Sequence, residues 1–159
     1  MIQIEEPQAE SAAAWLNLGF RPFFMGAALF AVLSMSLWAA IFPLQILPPL
    51  NELASITWHA HEMIYGYALA VIAGFLLTAV TNWTGLQTPK GAILFGLFFL
   101  WLAARLLPLA GEWIPILWTA AADLLFMALL VPAVAMPIVI AKSKRNLPVI
   151  AVLVLLLTG

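Results

Sequence analysis

Apolar residues run along this chain in long blocks, broken by short polar stretches. The blocks predict five helices, at about 22–42, 51–83, 89–107, 114–141 and 147–159. The first four match the roughly 20 apolar residues that a bilayer crossing needs. Pro22, after Arg21, suits a helix start, where its missing N–H costs nothing. Asn51, after Pro48 and Pro49, and Thr88, before Pro89, are candidate N-caps. Pro132 and Pro137 fall inside the fourth crossing and predict a kink or break in its second half. The predicted fold is all-α: a polytopic transmembrane helical bundle of four full helices plus a truncated fifth. Met1 to Phe20 reads as a cytoplasmic tail followed by an interfacial segment. The last apolar run stops without a polar flank, so the chain is expected to be the N-terminal part of a larger membrane domain.

Composition supports this class. Of 159 residues, 65% are hydrophobic and only 8% charged, too few to give a soluble domain its polar surface. Cysteine is absent, which excludes disulfides and thiolate-ligated metals. The acidic start MIQIEEPQAE is unlike a signal peptide.

The distribution of charge says more than its total. Arg21, Lys90, Lys142, Lys144 and Arg145 all fall at one end of the predicted helices. Glu52, His59 and Glu112 fall at the other. The positive-inside rule then puts the N-terminus and the KSKR stretch in the cytoplasm. Trp58 and Trp113 would mark the outer boundary. Trp101 and Trp118 lie deeper, where an interfacial belt does not account for them. The basic residues read as topology signals, and nothing suggests a nucleic-acid partner. The lipid bilayer is the expected partner, together with the further helices of the longer protein.

Candidate chemistry concentrates in WHAHEMIYGY, Trp58 to Tyr67, which holds both histidines of the chain. Two positions apart on a helix, His59 and His61 point about 200° from each other, so one metal does not readily take both. His59 shares a face with Glu62 and Met63, and His61 shares one with Tyr65. A glutamate beside a histidine can orient the ring. Imidazole is a good axial ligand for haem iron and a good copper ligand. The plainer alternative is a pair of interfacial histidines. Gly66, Ala70 and Gly74 form a small-residue strip that lets another helix approach closely.

Arg105 and Asp123 lie within the membrane, where charge is costly. They are candidates for a buried ion pair. Arg105 could instead meet a haem propionate, and Asp123 could sit on a proton path. A transporter or channel with Asp123 and a proline-broken helix at its path is one alternative function; a non-catalytic assembly factor is another.

Three stretches carry a family resemblance: GFRPFF from Gly19 to Phe24, WHAHEM from Trp58 to Met63, and VIAGFLLTAVTNWTG from Val71 to Gly85. Together, in this order, they resemble the NnrS family from about Asn17 onward. The resemblance implies a bacterial multi-pass inner-membrane protein containing haem and copper, linked to denitrification and the nitric oxide response, with unsettled molecular activity. It makes His59 and His61 the candidate haem or copper ligands and Glu62 an orienting group. It does not say which histidine takes which metal. Arg21 matches the family's early arginine and reads as a topology anchor.

Overall fold

The structure is a computed structural model describing residues 16, 18–46 and 55–158, with only the backbone of residues 111 and 112. The tail, the Asn51 cap, Glu52 and the Glu112 side chain lie outside this description. The described residues form helices and no strands. In order they are α1 (Phe20–Ile41), α2 (Ser55–His61), a π-helical segment (Glu62–Ala68), α3 (Leu69–Thr84), α4 (Gly91–Leu106), a 3-10 segment (Leu107–Trp113), α5 (Ile116–Ile140) and α6 (Leu147–Thr158). Four spans are long and apolar enough to cross a membrane: Phe20–Ile41, Ser55–Thr84, Gly91–Ala110 and Ile116–Ile140. The protein is a multi-pass membrane protein.

Three expectations are corrected. The second crossing is one rod of 30 residues, but its middle is π-helical rather than α-helical. Hydrophobic periodicity cannot reveal one extra residue per turn. Of the kink or break expected at Pro132 and Pro137, the break is absent: the fourth crossing is one α-helix, Ile116–Ile140. Each proline removes one backbone bond. The buried side chains of Leu130, Val134, Pro137 and Ile138 hold the helix against its neighbours. Third, Thr88 is not a helix cap, since α4 starts at Gly91 with Lys90 before it. The Thr88 hydroxyl instead donates to the Leu77 carbonyl and lies 3.1 Å from the Thr81 hydroxyl, pinning the α3–α4 connection onto α3. Gly85 closes α3 with φ 71°, a left-handed conformation that glycine adopts without strain.

The core explains the spacing of small residues. α1 packs on α3, α3 on α5, and α5 on both α4 and α6. Phe23, Ala70, Ala73, Leu94, Phe126 and Leu130 are fully buried between them. A Cβ at Gly74 would lie 2.9 Å from both Phe23 and Phe24, and one at Gly66 would lie 2.4 Å from Phe30. The strip is therefore where α1 lies closest. GFRPFF is the other half of that contact. A Cβ on Gly19 would sit 2.5 Å from Leu77, and the Phe20 amide donates to the Thr78 hydroxyl at 3.1 Å. The start of α1 thus meets the second half of α3. Lys90, Lys142, Lys144 and Arg145 are exposed at that same end, where α4 begins and α5 finishes. The histidines are at the other end.

Candidate functional site: a buried charge cluster on a π-helical turn

Four ionisable side chains from three spans meet at the histidine end. Glu62 opens the π-helical segment and is 1% exposed. Arg105, in the last turn of α4, reaches it with Nη1 at 2.6 Å from Oε2. The other terminal nitrogen, Nη2, donates to Oδ1 of Asp123 on α5. His61 closes the ring: Nδ1 is 3.3 Å from Glu62 Oε1, and Nε2 is 3.5 Å from Asp123 Oδ2. Such charges survive in an apolar interior only when paired and hydrogen-bonded. As ionised groups, Glu62 and Asp123 carry two negative charges against one on Arg105. A positive charge at His61, from a proton or a metal ion, balances the cluster.

The π-helical segment builds this arrangement. Within it, the Gly66 carbonyl accepts from the Trp101 indole N–H at 2.9 Å. That bond accounts for a tryptophan well inside the membrane and ties α4 to the turn bearing Glu62. The Tyr65 ring stacks on His61 at 4.9 Å, as their shared face suggests, and its hydroxyl reaches the Leu156 carbonyl at 3.5 Å. Met63 is partly buried.

The two histidines face different neighbours. His59 stacks on Trp38 of α1, with ring centres 4.4 Å apart, while His61 faces α5. His59 Nδ1 and Trp38 Nε1 are both buried without a hydrogen-bond partner. Glu62 turns to Arg105 and His61 rather than to His59. Trp58 is buried at 5% exposure and is not a boundary anchor, whereas Trp113 is 92% exposed. Arg105 and Asp123 are brought together. Both terminal nitrogens of Arg105 are on carboxylates, and its Nε is buried without a hydrogen-bond partner.

Sequence reasoning missed the Glu62–Arg105 bond. The available signal was that three charged residues inside one membrane bundle must find one another.

Two cavities border the cluster. A cleft of about 390 Å³ lies between the π-helical turn, α5 and α6, lined by His61, Tyr65, Asp123 and Met127. The unpaired Asp123 Oδ2 is part of its surroundings. A second, apolar groove of about 330 Å³ runs between α1 and α4 and ends at Arg105.

The family of NnrS proteins matches residues 14–159, almost the whole chain. The chain belongs to the NnrS family. No curated protein and no solved structure matches it. A family member bearing haem and copper would need ligands, and the residues can be tested against each. Among the described residues, no group of three or more His, Cys, Asp or Glu side chains is placed to hold a metal ion. Haem needs only one axial imidazole from a given helix. His61 is the candidate for that role: Nδ1 lies beside Glu62, and a proton held there would leave Nε2, on the Asp123 side, as the ligating atom.

Proposed function

We propose that this NnrS chain is part of a haem-bearing membrane protein of the nitric oxide response, in which His61 Nε2 would hold the haem iron. The observation that carries the reading is the His61 ring, beside Glu62 at Nδ1 and turned at Nε2 toward Asp123 Oδ2, an oxygen without a hydrogen-bond partner, next to a cleft. Bound there, haem iron would supply redox chemistry and a coordination position for a small diatomic molecule. The residues do the rest. Glu62 holds the imidazole proton at Nδ1 and keeps Nε2 a lone-pair donor. Arg105 fixes both carboxylates, and Tyr65 fixes the ring plane by stacking. Asp123 offsets positive charge placed at Nε2.

His59 serves differently. Its ring is clamped on Trp38. It is a candidate for metal held jointly with residues outside this chain, which is the place this reading leaves for copper. The exposed Lys90, Lys142, Lys144 and Arg145 favour an orientation with their end in the cytoplasm, and so a bacterial inner-membrane location.

The experiment is the optical spectrum of the purified parent protein, oxidised and dithionite-reduced, with each histidine replaced singly. His61→Ala should shift or abolish the Soret band, while His59→Ala should leave it in place. A colourless protein from haem-replete cells, or a spectrum indifferent to His61→Ala, removes the assignment.

Asp123 Oδ2, buried without a hydrogen-bond partner, supports a second reading, an ion or proton path through the cleft. Transport lost in Asp123→Asn from a protein without a chromophore would favour it.

A further inference from the structure

The connection between α5 and α6 is a fastened loop that carries three cations. α5 ends in a double-bonded turn: the Lys142 amide donates to the Val139 carbonyl at 3.0 Å, and the Ser143 amide donates to the Ile138 carbonyl at 3.1 Å. This Schellman ending needs a left-handed residue at the position of Lys142, where glycine is the usual choice. Lys142 takes that conformation, with φ 52°. Packing does not account for a lysine there, since its side chain is exposed. The far half of the loop is held by Asn146, which is 8% exposed. Its Nδ2 donates to the Ser143 hydroxyl at 2.9 Å, and its backbone N–H donates to the Ser143 carbonyl at 3.0 Å. Lys142, Lys144 and Arg145 thus project, exposed, from a backbone tied at both ends.

The neighbours of the loop decide what it meets. Ile140, just before it, is 65% exposed, and Leu147, just after it, is 46% exposed, each on an apolar helix. Both side chains belong among lipid tails, so the cations between them lie at the level of the headgroup phosphates. Lys90 is exposed where α4 begins, and α4 packs on α5. No acidic side chain among the described residues lies at this end; Glu62 and Asp123 are at the other. The backbone is better served by glycine at position 142, so the lysine acts through its charge. A zwitterionic headgroup brings its own cation to each phosphate. An anionic headgroup leaves the phosphate to lysine and arginine. We propose that the α5–α6 loop binds anionic phospholipid headgroups, with Lys142, Lys144 and Arg145 on the phosphates. This does not depend on the haem reading.

The test places the purified parent protein in phosphatidylcholine nanodiscs with a trace of lipid carrying a diazirine close to the headgroup. The probe is either phosphatidylglycerol or phosphatidylcholine, and labelled peptides are mapped by mass spectrometry. The phosphatidylglycerol probe should label residues 140–147 on the order of tenfold more than the phosphatidylcholine probe. Unlabelled phosphatidylglycerol should compete, and inorganic phosphate, matched in ionic strength with chloride, should not. Lys142→Gly is the most telling variant, because it relaxes the turn while removing a charge. Its preference should fall about fivefold, the worth of one cation at the membrane surface, with a melting temperature that holds or rises. Lys142→Arg should keep the preference, and Lys144→Gln with Arg145→Gln should bring the two probes level. Equal labelling of the unaltered protein by both probes, competition by inorganic phosphate, or an undiminished preference in either Lys142→Gly or the double variant would overturn the proposal. So would a lowered melting temperature in Lys142→Gly, since the lysine would then serve the fold. A preference that appears only once residues 1–10 are removed would also overturn it, by making the acidic start of the chain the occupant.

Discussion

Where α1 begins, it meets α3 through glycines at close range; where α2 ends, four ionisable side chains meet instead. At the first end Gly19 and Gly74 bring Leu77, Phe23 and Phe24 into contact, and the hydrogen bonds there are local additions. At the second end Glu62, Arg105, Asp123 and His61 carry the contact between three spans. The difference is one of tolerance. A packed apolar contact loses energy in proportion to the misfit. A buried charge network fails abruptly, since removing one member leaves the others charged and unpaired.

Removing Arg105 should therefore have the largest effect. Arg105→Leu leaves two carboxylates buried without their partner, a loss on the order of 3–5 kcal/mol for a broken buried pair. Thermal unfolding in detergent should show it as a collapse of the melting temperature. The triple variant Glu62→Gln, Arg105→Leu, Asp123→Asn removes the charges together and should recover much of that loss. If the single and triple variants melt alike, the network is not what holds this end.

Much of this comparison was legible in the sequence. The crossings, the small-residue strip and the Arg105–Asp123 candidate pair follow from apolar length, spacing and the cost of charge in lipid. The π-helical turn does not follow, because one extra residue in a helix leaves the apolar composition of EMIYGYA unchanged. Nor does the partner of Glu62, because spacing along one helix says nothing of a side chain that arrives from another span. The continuity of α5 through two prolines was hidden for another reason. Local propensity says break, and only the packing of Val134 and Ile138 against neighbouring helices says otherwise.

The packed end predicts smaller, graded effects. Gly74→Ala puts a methyl 2.9 Å from Phe23 and Phe24; at the histidine end, Gly66→Ala puts one 2.4 Å from Phe30 and 2.8 Å from Glu62 Oε2. Overpacking of this kind costs about 1–3 kcal/mol. Phe30→Leu should relieve part of Gly66→Ala and leave Gly74→Ala unrelieved. Gly96 is the control: a Cβ there meets nothing within 4 Å, so Gly96→Ala should stabilise α4 by roughly 0.5–1 kcal/mol through helix propensity. If all three glycine variants destabilise equally, the effect is general to glycine and the close approach of α1 is not its cause.

Among the destabilising changes, the smallest expected effect sharpens the comparison most, because it places a polar group at the packed end. Thr88 is 6% exposed, donates to the Leu77 carbonyl and faces the Thr81 hydroxyl. Thr88→Val keeps the shape and removes the hydroxyl, which should cost about 1 kcal/mol, the net worth of a typical hydrogen bond. Leu77 is also the residue that Gly19 packs against. If the hydroxyl helps hold Leu77 in place for α1, Thr88→Val and Gly19→Ala should be non-additive in a double-mutant cycle. If it only fastens the α3–α4 connection, the two losses should sum, and the packed end then rests on shape alone.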